Sequence, residues 1–192
     1  RLAENLSRPL SKWLRHRQKG ARLRMSREGF VNVCDLARCE AFMPYSPAEL
    51  AVAAECNAEG RFVTRVRNCP REGPVIEVAA WGGHTAPDVI GPAQELKGDA
   101  VPMYAIHGTY RETLPAIQRD GLRALNRDVH LQDPTKRAGK WRSNLNTMVV
   151  VCLRDAAREG VTVRRTGNDV LLSDNIPPHH IIWTGKWCLP PE

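Results

Sequence analysis

The sequence predicts an α+β protein built as two lobes, one at 1–90 and one at 100–192. Three observations carry this. Helical periodicity and a helix-start signal occupy the first part of the chain. Two strand-like runs joined by a turn follow at 61–66 and 74–80. Beyond a Pro-, Gly- and Ala-rich stretch at 86–102, which reads as a linker, strand-like runs dominate. The length of 192 residues permits either one domain or two small lobes, so the change in pattern across the linker decides.

Leu6, Leu10, Trp13 and Leu14 recur at helical spacing, with Lys12, Arg15 and His16 lying partly off that stripe. This is an amphipathic helix with a basic edge. Ser46-Pro47-Ala48-Glu49 is a complete helix start. Ser caps, Pro fits the first turn, and Glu three residues after the cap reaches back to it. That helix should end before Gly60. Helices followed by a β-hairpin predict a winged-helix-like lobe, a form that often binds nucleic acid; a small α+β lobe without that role has the same pattern.

In the second half the predicted strands are 103–106, 129–131, 147–153, 161–165, 170–172 and 180–183. Thr109-x-x-Glu112 signals a helix over 109–120, stopped by Gly121, with Pro115 disturbing its first turn. The polar, basic stretch 132–146 reads as a loop. No Walker A loop, G-x-G-x-x-G or H-E-x-x-H occurs, which argues against the P-loop, Rossmann and zincin readings.

The net charge of +7 is concentrated at one end. Residues 1–27 carry nine Lys and Arg side chains against a single carboxylate, Glu4. A local excess of this kind fits a phosphate-bearing partner such as RNA, and equally a solubilising surface. Cys34, Cys39, Cys56, Cys69, Cys152 and Cys188 are scattered, with neither C-x-x-C nor zinc-finger spacing, so no metal site is assigned. Reduced thiols place the protein inside the cell, although the even count leaves disulfides open. No apolar run is long enough for a membrane span.

Five short constellations carry candidate chemistry. In Leu10-Ser11-Lys12-Trp13-Leu14-Arg15-His16, Arg15 can fork onto phosphate oxygens and His16 can donate or exchange a proton. A solvated helix face looks the same. His107-Gly108-Thr109 lies between a strand and a helix, where free backbone N–H groups suit a phosphate or ribose. A structural histidine fits there as well. Asn126-Arg127-Asp128-Val129-His130-Leu131 puts Arg127 and His130 on opposite faces if it is all strand. Gly139-Lys140-Trp141-Arg142-Ser143-Asn144 is a basic loop. Thr166-Gly167-Asn168-Asp169-Val170-Leu171-Leu172-Ser173 combines turn residues with a strand.

Taken in order, these segments resemble the RNA 2'-phosphotransferase family. That family has L-S-K-x-L-R-H near its start. A D-G-[FW]-x-x-[VL]-x-x-L stretch follows, matched here by Glu28-Gly29-Phe30-Val31-Asn32-Val33-Cys34-Asp35-Leu36. Then come I-R-A-x-Q-G-H-S, H-G-T, R-x-H-[IV]-H-L, an Arg-bearing loop and S-x-N-G-V-[IL]-L-T. The resemblance implies a winged-helix lobe followed by a lobe of ADP-ribosyltransferase type. It implies NAD as co-substrate and an RNA bearing a 2'-phosphate, such as tRNA, as partner. The 2'-phosphate attacks C1 of the nicotinamide ribose, nicotinamide leaves, and transesterification frees 2'-hydroxyl RNA and ADP-ribose 1",2"-cyclic phosphate.

By the same resemblance Arg15, His16 and Arg142 form the catalytic phosphate cluster, with Lys12 and Ser143 as substrate contacts. His107, Gly108, Thr109, Arg127, His130, Asn168 and Val170 form the NAD pocket. The chain departs from the pattern at I-R-A-x-Q-G-H-S. Ala79 or Glu77 takes the place of the Arg, according to the alignment, and Gly82 replaces the Gln. Glu77 in that place would repel a phosphate. Arg65 and Arg67 are candidates to compensate. The first His of H-[IV]-H-L is Asp128 here or is deleted, according to the gap. The loss of one cation keeps two alternatives open: ADP-ribosyl transfer to another acceptor, such as a nucleic-acid terminal phosphate, or an inactive RNA-binding module.

Overall fold

The computed structural model describes residues 2–16, 23–70, 72–86, 88–125, 127–136 and 144–186. The chain is α+β and divides into two compact units, Arg1–Ala93 and Gln94–Glu192. Among the described residues no helix is long and apolar enough to cross a membrane.

The first unit contains α1 (Leu2–His16), β1 (Val31–Asn32), α2 (Val33–Ala37), α3 (Pro47–Glu55), β2 (Phe62–Cys69) and β3 (Gly73–Ala80). Its three strands pair antiparallel in the order β1-β3-β2. The stripe on α1 drives the packing. Leu6, Leu10 and Leu14 are buried in one core with Leu36, Phe42, Leu50, Phe62 and Val78, each aliphatic side chain contributing about 1.5–3 kcal/mol. Trp13 meets Phe42 edge-on, with ring centroids 5.7 Å apart. The Ser46 cap forms as the sequence predicts. Ser46 Oγ accepts from Glu49 N, and Glu49 Oε2 accepts from Ser46 N.

The second unit contains β4 (Gln94–Leu96), β5 (Tyr104–Thr109), α4 (Leu114–Asp120), β6 (Val129–Gln132), β7 (Thr147–Cys152), α5 (Leu153–Arg158), β8 (Val163–Arg165), β9 (Val170–Ser173) and β10 (Ile181–Lys186). Its seven strands form one antiparallel sheet in the order β10-β7-β5-β6-β9-β8-β4. Ala105, Val129, Leu131, Val149, Val151, Leu153 and Leu171 belong to its core.

Three expectations change. The 86–102 stretch is not bare linker, because Gln94–Leu96 pairs with β8 as an edge strand. Prolines disqualify a central strand, whereas an edge strand between prolines tolerates them. The helix predicted over 109–120 begins only at Leu114. Thr109 is the last residue of β5, and Arg111–Thr113 is a 3-10 turn. Pro115 has no N–H to donate, so it fits only a first turn, and the helix starts around it. The run 147–153 is strand only as far as Cys152, and Leu153 opens α5.

Candidate functional site

In the first unit the candidate groups cluster at the C-terminal end of α1. Leu14 anchors that end in the core, Lys12 and His16 are exposed, and Arg15 is half-buried. The carbonyl of Arg15 accepts from Thr85 N at 2.9 Å. Its side chain lies over Gly83. A Cβ there would be in ordinary contact with Arg15 Cδ at 3.4 Å, so it is the φ of +79° that favours glycine at this position.

Arg15 Nε is buried without a hydrogen-bond partner, and among the described residues no carboxylate pairs with the guanidinium. Burial and the nearby charge of Arg61 both push its pKa down from the ordinary arginine value. The group nevertheless stays charged. A desolvated cation costs several kcal/mol when left unpaired, and such groups concentrate where an anion is bound. Arg61 immediately precedes β2. Its Nη1 donates to Ser7 Oγ on α1 at 3.3 Å, its carbonyl accepts from Trp81 N, and it also pairs with Glu59.

Glu77 on β3 has close partners on the neighbouring strand. Glu77 takes Arg65 Nε on one carboxylate oxygen and Arg67 Nε on the other, each at 2.8 Å. Arg65 also pairs with Glu28 at 2.6 Å and covers the Phe30 ring. Burial pushes the Glu77 carboxyl up, but hydrogen bonds and charge from Arg67 and Arg65 outweigh it and hold the group below the usual range. Glu77 is therefore a neutralised structural anion, and neither Arg65 nor Arg67 is spare. Ala79 is completely buried opposite Val63. Gly29 lies close to the buried His84 ring, and a Cβ on it would come within 2.8 Å of that ring.

In the second unit the sheet opens at His107-Gly108-Thr109. β5 pairs with β7 along its whole length, to Thr109, but with β6 only through Ile106 and Gln132. Beyond that rung β6 stays with β9 and leaves β5. His107 spans the gap. Its Nδ1 donates to the carbonyl of His130 at 2.9 Å, which fixes the proton on Nδ1. Burial lowers the His107 pKa despite that bond. The neutral ring keeps Nε2 as an acceptor for a hydroxyl.

The remaining predicted residues take varied places. Gly108 continues β5. Thr109 is buried and hydrogen-bonds Thr113 Oγ1 at 2.7 Å. His130 is exposed between the buried Val129 and Leu131. Arg127 precedes β6, so the strand-parity argument does not apply to it. Val170 sits across from Gln132 on β9, but its N–H and C=O are both bonded to Thr166. Asn168 Oδ1 accepts from Thr166 Oγ1 within the β8–β9 turn, where Asp169 has φ +62°. Asp128 pairs at 2.5 Å with Arg164. Arg142 and Ser143 lie outside the described residues. Thus His107 and His130 are brought together, with Val170 one strand away.

Two features were not foreseen. Arg61 gave no motif signal. A cavity of about 550 Å³, lined by Arg111, Leu114, Asn146, Thr147, Gly185 and Lys186, adjoins the end of β5, since Thr147 pairs with Thr109. Asn146 Oδ1 accepts from Arg111 N and Thr147 Oγ1, which ties the rim together. Arg111 lies two residues past the H-G-T motif, the one signal that pointed there.

Residues 1–175 match the model of the RNA 2'-phosphotransferase, Tpt1 / KptA family. A probable RNA 2'-phosphotransferase of Streptomyces griseus is 30% identical over 187 residues, covering 94% of this chain and 96% of that one. The tRNA 2'-phosphotransferase 1 of Danio rerio is 27% identical, covering 88% and 76%. That of Bos taurus is 28% identical, covering 88% and 67%. The chain belongs to the RNA 2'-phosphotransferase family.

Proposed function

We propose that this chain is an NAD-dependent RNA 2'-phosphotransferase that moves an RNA 2'-phosphate to ADP-ribose, releasing nicotinamide and 2'-hydroxyl RNA. The observation that carries it is Arg15: a half-buried guanidinium, without a carboxylate partner among the described residues, beside a second cation. A dianionic phosphate is the group that such a site lacks. Arg61 supplies the second positive charge in place of the cation missing at Ala79 and Glu77.

NAD supplies an electrophilic ribose carbon with nicotinamide as leaving group. The residues of the second unit fit such a ligand. His107 Nε2 can accept from a ribose hydroxyl because Nδ1 holds the ring proton. Gly108, which has no side chain, lets a ligand approach the β5 backbone closely. The 550 Å³ cavity, with Arg111 and Lys186 on its wall, is within the usual size of a ligand site and carries charge suited to a pyrophosphate. Since the attacking group is already an anion, the work left to the protein is positioning and charge neutralisation. The order α1-β1-α2-α3-β2-β3 supports a winged-helix-like RNA-binding unit, and the opened antiparallel sheet supports an ADP-ribosyltransferase-like unit.

The test is to incubate the protein with NAD and a 2'-phosphorylated oligonucleotide and to analyse strand and small-molecule products. Loss of the 2'-phosphate with release of nicotinamide supports the reading. The burial of Ala79, which leaves no cation on β3 at that place, favours a second reading: ADP-ribosyl transfer to a terminal phosphate. A strand gaining ADP-ribose would replace the first reading by the second.

A further inference from the structure

A cluster with different chemistry lies elsewhere in the second unit. Glu159 caps the C-terminal end of α5, and His179 and His180 occupy the 3-10 turn Pro178–His180 that leads into β10. The Nε2 atoms of both rings converge on one oxygen, Glu159 Oε2, at 2.9 Å from His179 and 3.2 Å from His180. The three atoms all lie within 4.8 Å of one another. We propose that Glu159, His179 and His180 form a binding site for a first-row divalent cation, with Zn²⁺ the best fit.

The donor set is two imidazoles and one carboxylate. That set suits zinc and its neighbours, whereas magnesium and calcium prefer all-oxygen shells. With metal–ligand bonds of about 2.0–2.1 Å, tetrahedral donors stand about 3.3 Å apart. The two imidazole-to-carboxylate distances approach that spacing, and the ligand atoms of the three residues lie within 4.8 Å of one another, so the rings and the carboxylate seat an ion by drawing together around it.

The site is also held in place. His180 is only 4% exposed, and Pro177 and Pro178 restrict the backbone before it. The His179 and His180 rings lie against each other, with centroids 4.1 Å apart. His179 and Glu159 are exposed, 60% and 58%, so an ion can enter from solvent and water can complete its shell. Without a metal, both rings direct Nε2 at the same carboxylate oxygen. A bound ion would tie the end of α5 to the start of β10. Residues so distant in sequence, Glu159 and the His179-His180 pair, offer no spacing signal of the zinc-finger kind.

The experiment uses the full chain under reducing conditions, titrated with Zn²⁺ and, separately, Co²⁺. One equivalent should bind, Zn²⁺ should raise the unfolding temperature, and Mg²⁺ should do neither. Co²⁺ should give ligand-field bands without a thiolate charge-transfer band, which separates this site from the cysteine thiols at Cys34, Cys39, Cys56, Cys69 and Cys152. His179→Ala and Glu159→Gln, both exposed and therefore mild for folding, should each weaken binding at least about tenfold. Cys152→Ser should leave it intact. Absence of stoichiometric binding, a thiolate band, or unchanged affinity in His179→Ala would overturn the proposal. None of these readouts depends on NAD or RNA turnover.

Discussion

His107 Nδ1 lies 2.9 Å from the carbonyl oxygen of His130 and joins β5 to β6 just where their ladder stops. One side-chain bond thus does three things. It closes the base of the opening in the sheet, fixes the imidazole tautomer, and leaves Nε2 available to a ligand. Because burial lowers the His107 pKa from 6.5, folding favours the neutral ring.

His107→Ala should weaken NAD binding about tenfold or more in calorimetry, the loss of one well-aligned hydrogen bond to a polar ligand. The pH dependence has a definite sign. Between the lowered folded pKa and 6.5 the unfolded chain binds more protons than the folded one, so stability rises with pH. The His107 contribution is complete above 6.5 and is lost as pH falls towards the folded value. NAD affinity should fall in the same direction, since a protonated Nε2 cannot accept. Denaturation midpoints of wild type and His107→Asn between mildly acidic and neutral pH check this. A difference that does not change with pH would be contrary.

Glu77 is nearly buried and holds both Arg65 and Arg67. Glu77→Gln should destabilise the first unit by about 1–3 kcal/mol by leaving these arginines under-compensated. Its folded pKa is lowered, so its contribution is present at neutral pH and declines as pH falls from the ordinary carboxylate range through the folded value. Urea unfolding at neutral and acidic pH should show the wild-type advantage shrinking in acid.

Ala79→Arg tests whether a cation can be introduced on β3 by one substitution. The methyl group is completely buried, opposite Val63. An inserted guanidinium there needs both volume and a partner, so the expected result is a loss of about 3 kcal/mol or more. A variant that folds normally and gains activity would show that the neighbouring chain makes room for it.

Much of this is legible in the sequence for identifiable reasons. The helix starting at Pro47 is readable because Ser46 and Glu49 act on each other three residues apart, a purely local device. His107-Gly108-Thr109 is readable because the motif sits at a strand end. Arg61 is not, because its place beside Arg15 depends on β2 meeting α1 through Ser7, a contact 54 residues away in the chain. The edge strand β4 hides among prolines and glycines. At Glu77 a sequence shows one negative charge, but not the two arginines that the β2–β3 register sets against it.

Arg15 and Arg61 separate chemistry from folding. If Arg15 is a desolvated cation awaiting phosphate, removing its charge should harm chemistry and spare the fold. Arg15→Met keeps much of the apolar stem over Gly83 and eliminates a costly buried charge, so its unfolding temperature should equal or exceed that of the wild type. Conversion of a 2'-phosphorylated oligonucleotide should fall by about 10²–10³-fold, the scale for losing one preorganised donor to a transition-state charge. Arg61→Gln should lower conversion as well, by about tenfold, the smaller loss expected of a charge that also serves Glu59. Arg67→Gln, whose charge is spent on Glu77, should leave it near full rate. Affinity for the RNA should fall steeply with salt, and Arg15→Met should reduce that slope by about one counterion. NAD affinity should not change in any of these three first-unit variants. Arg15→Met with full activity would remove the phosphate role. Arg61→Gln with full activity, against a dead Arg15→Met, would return the second cation to a residue other than Arg61.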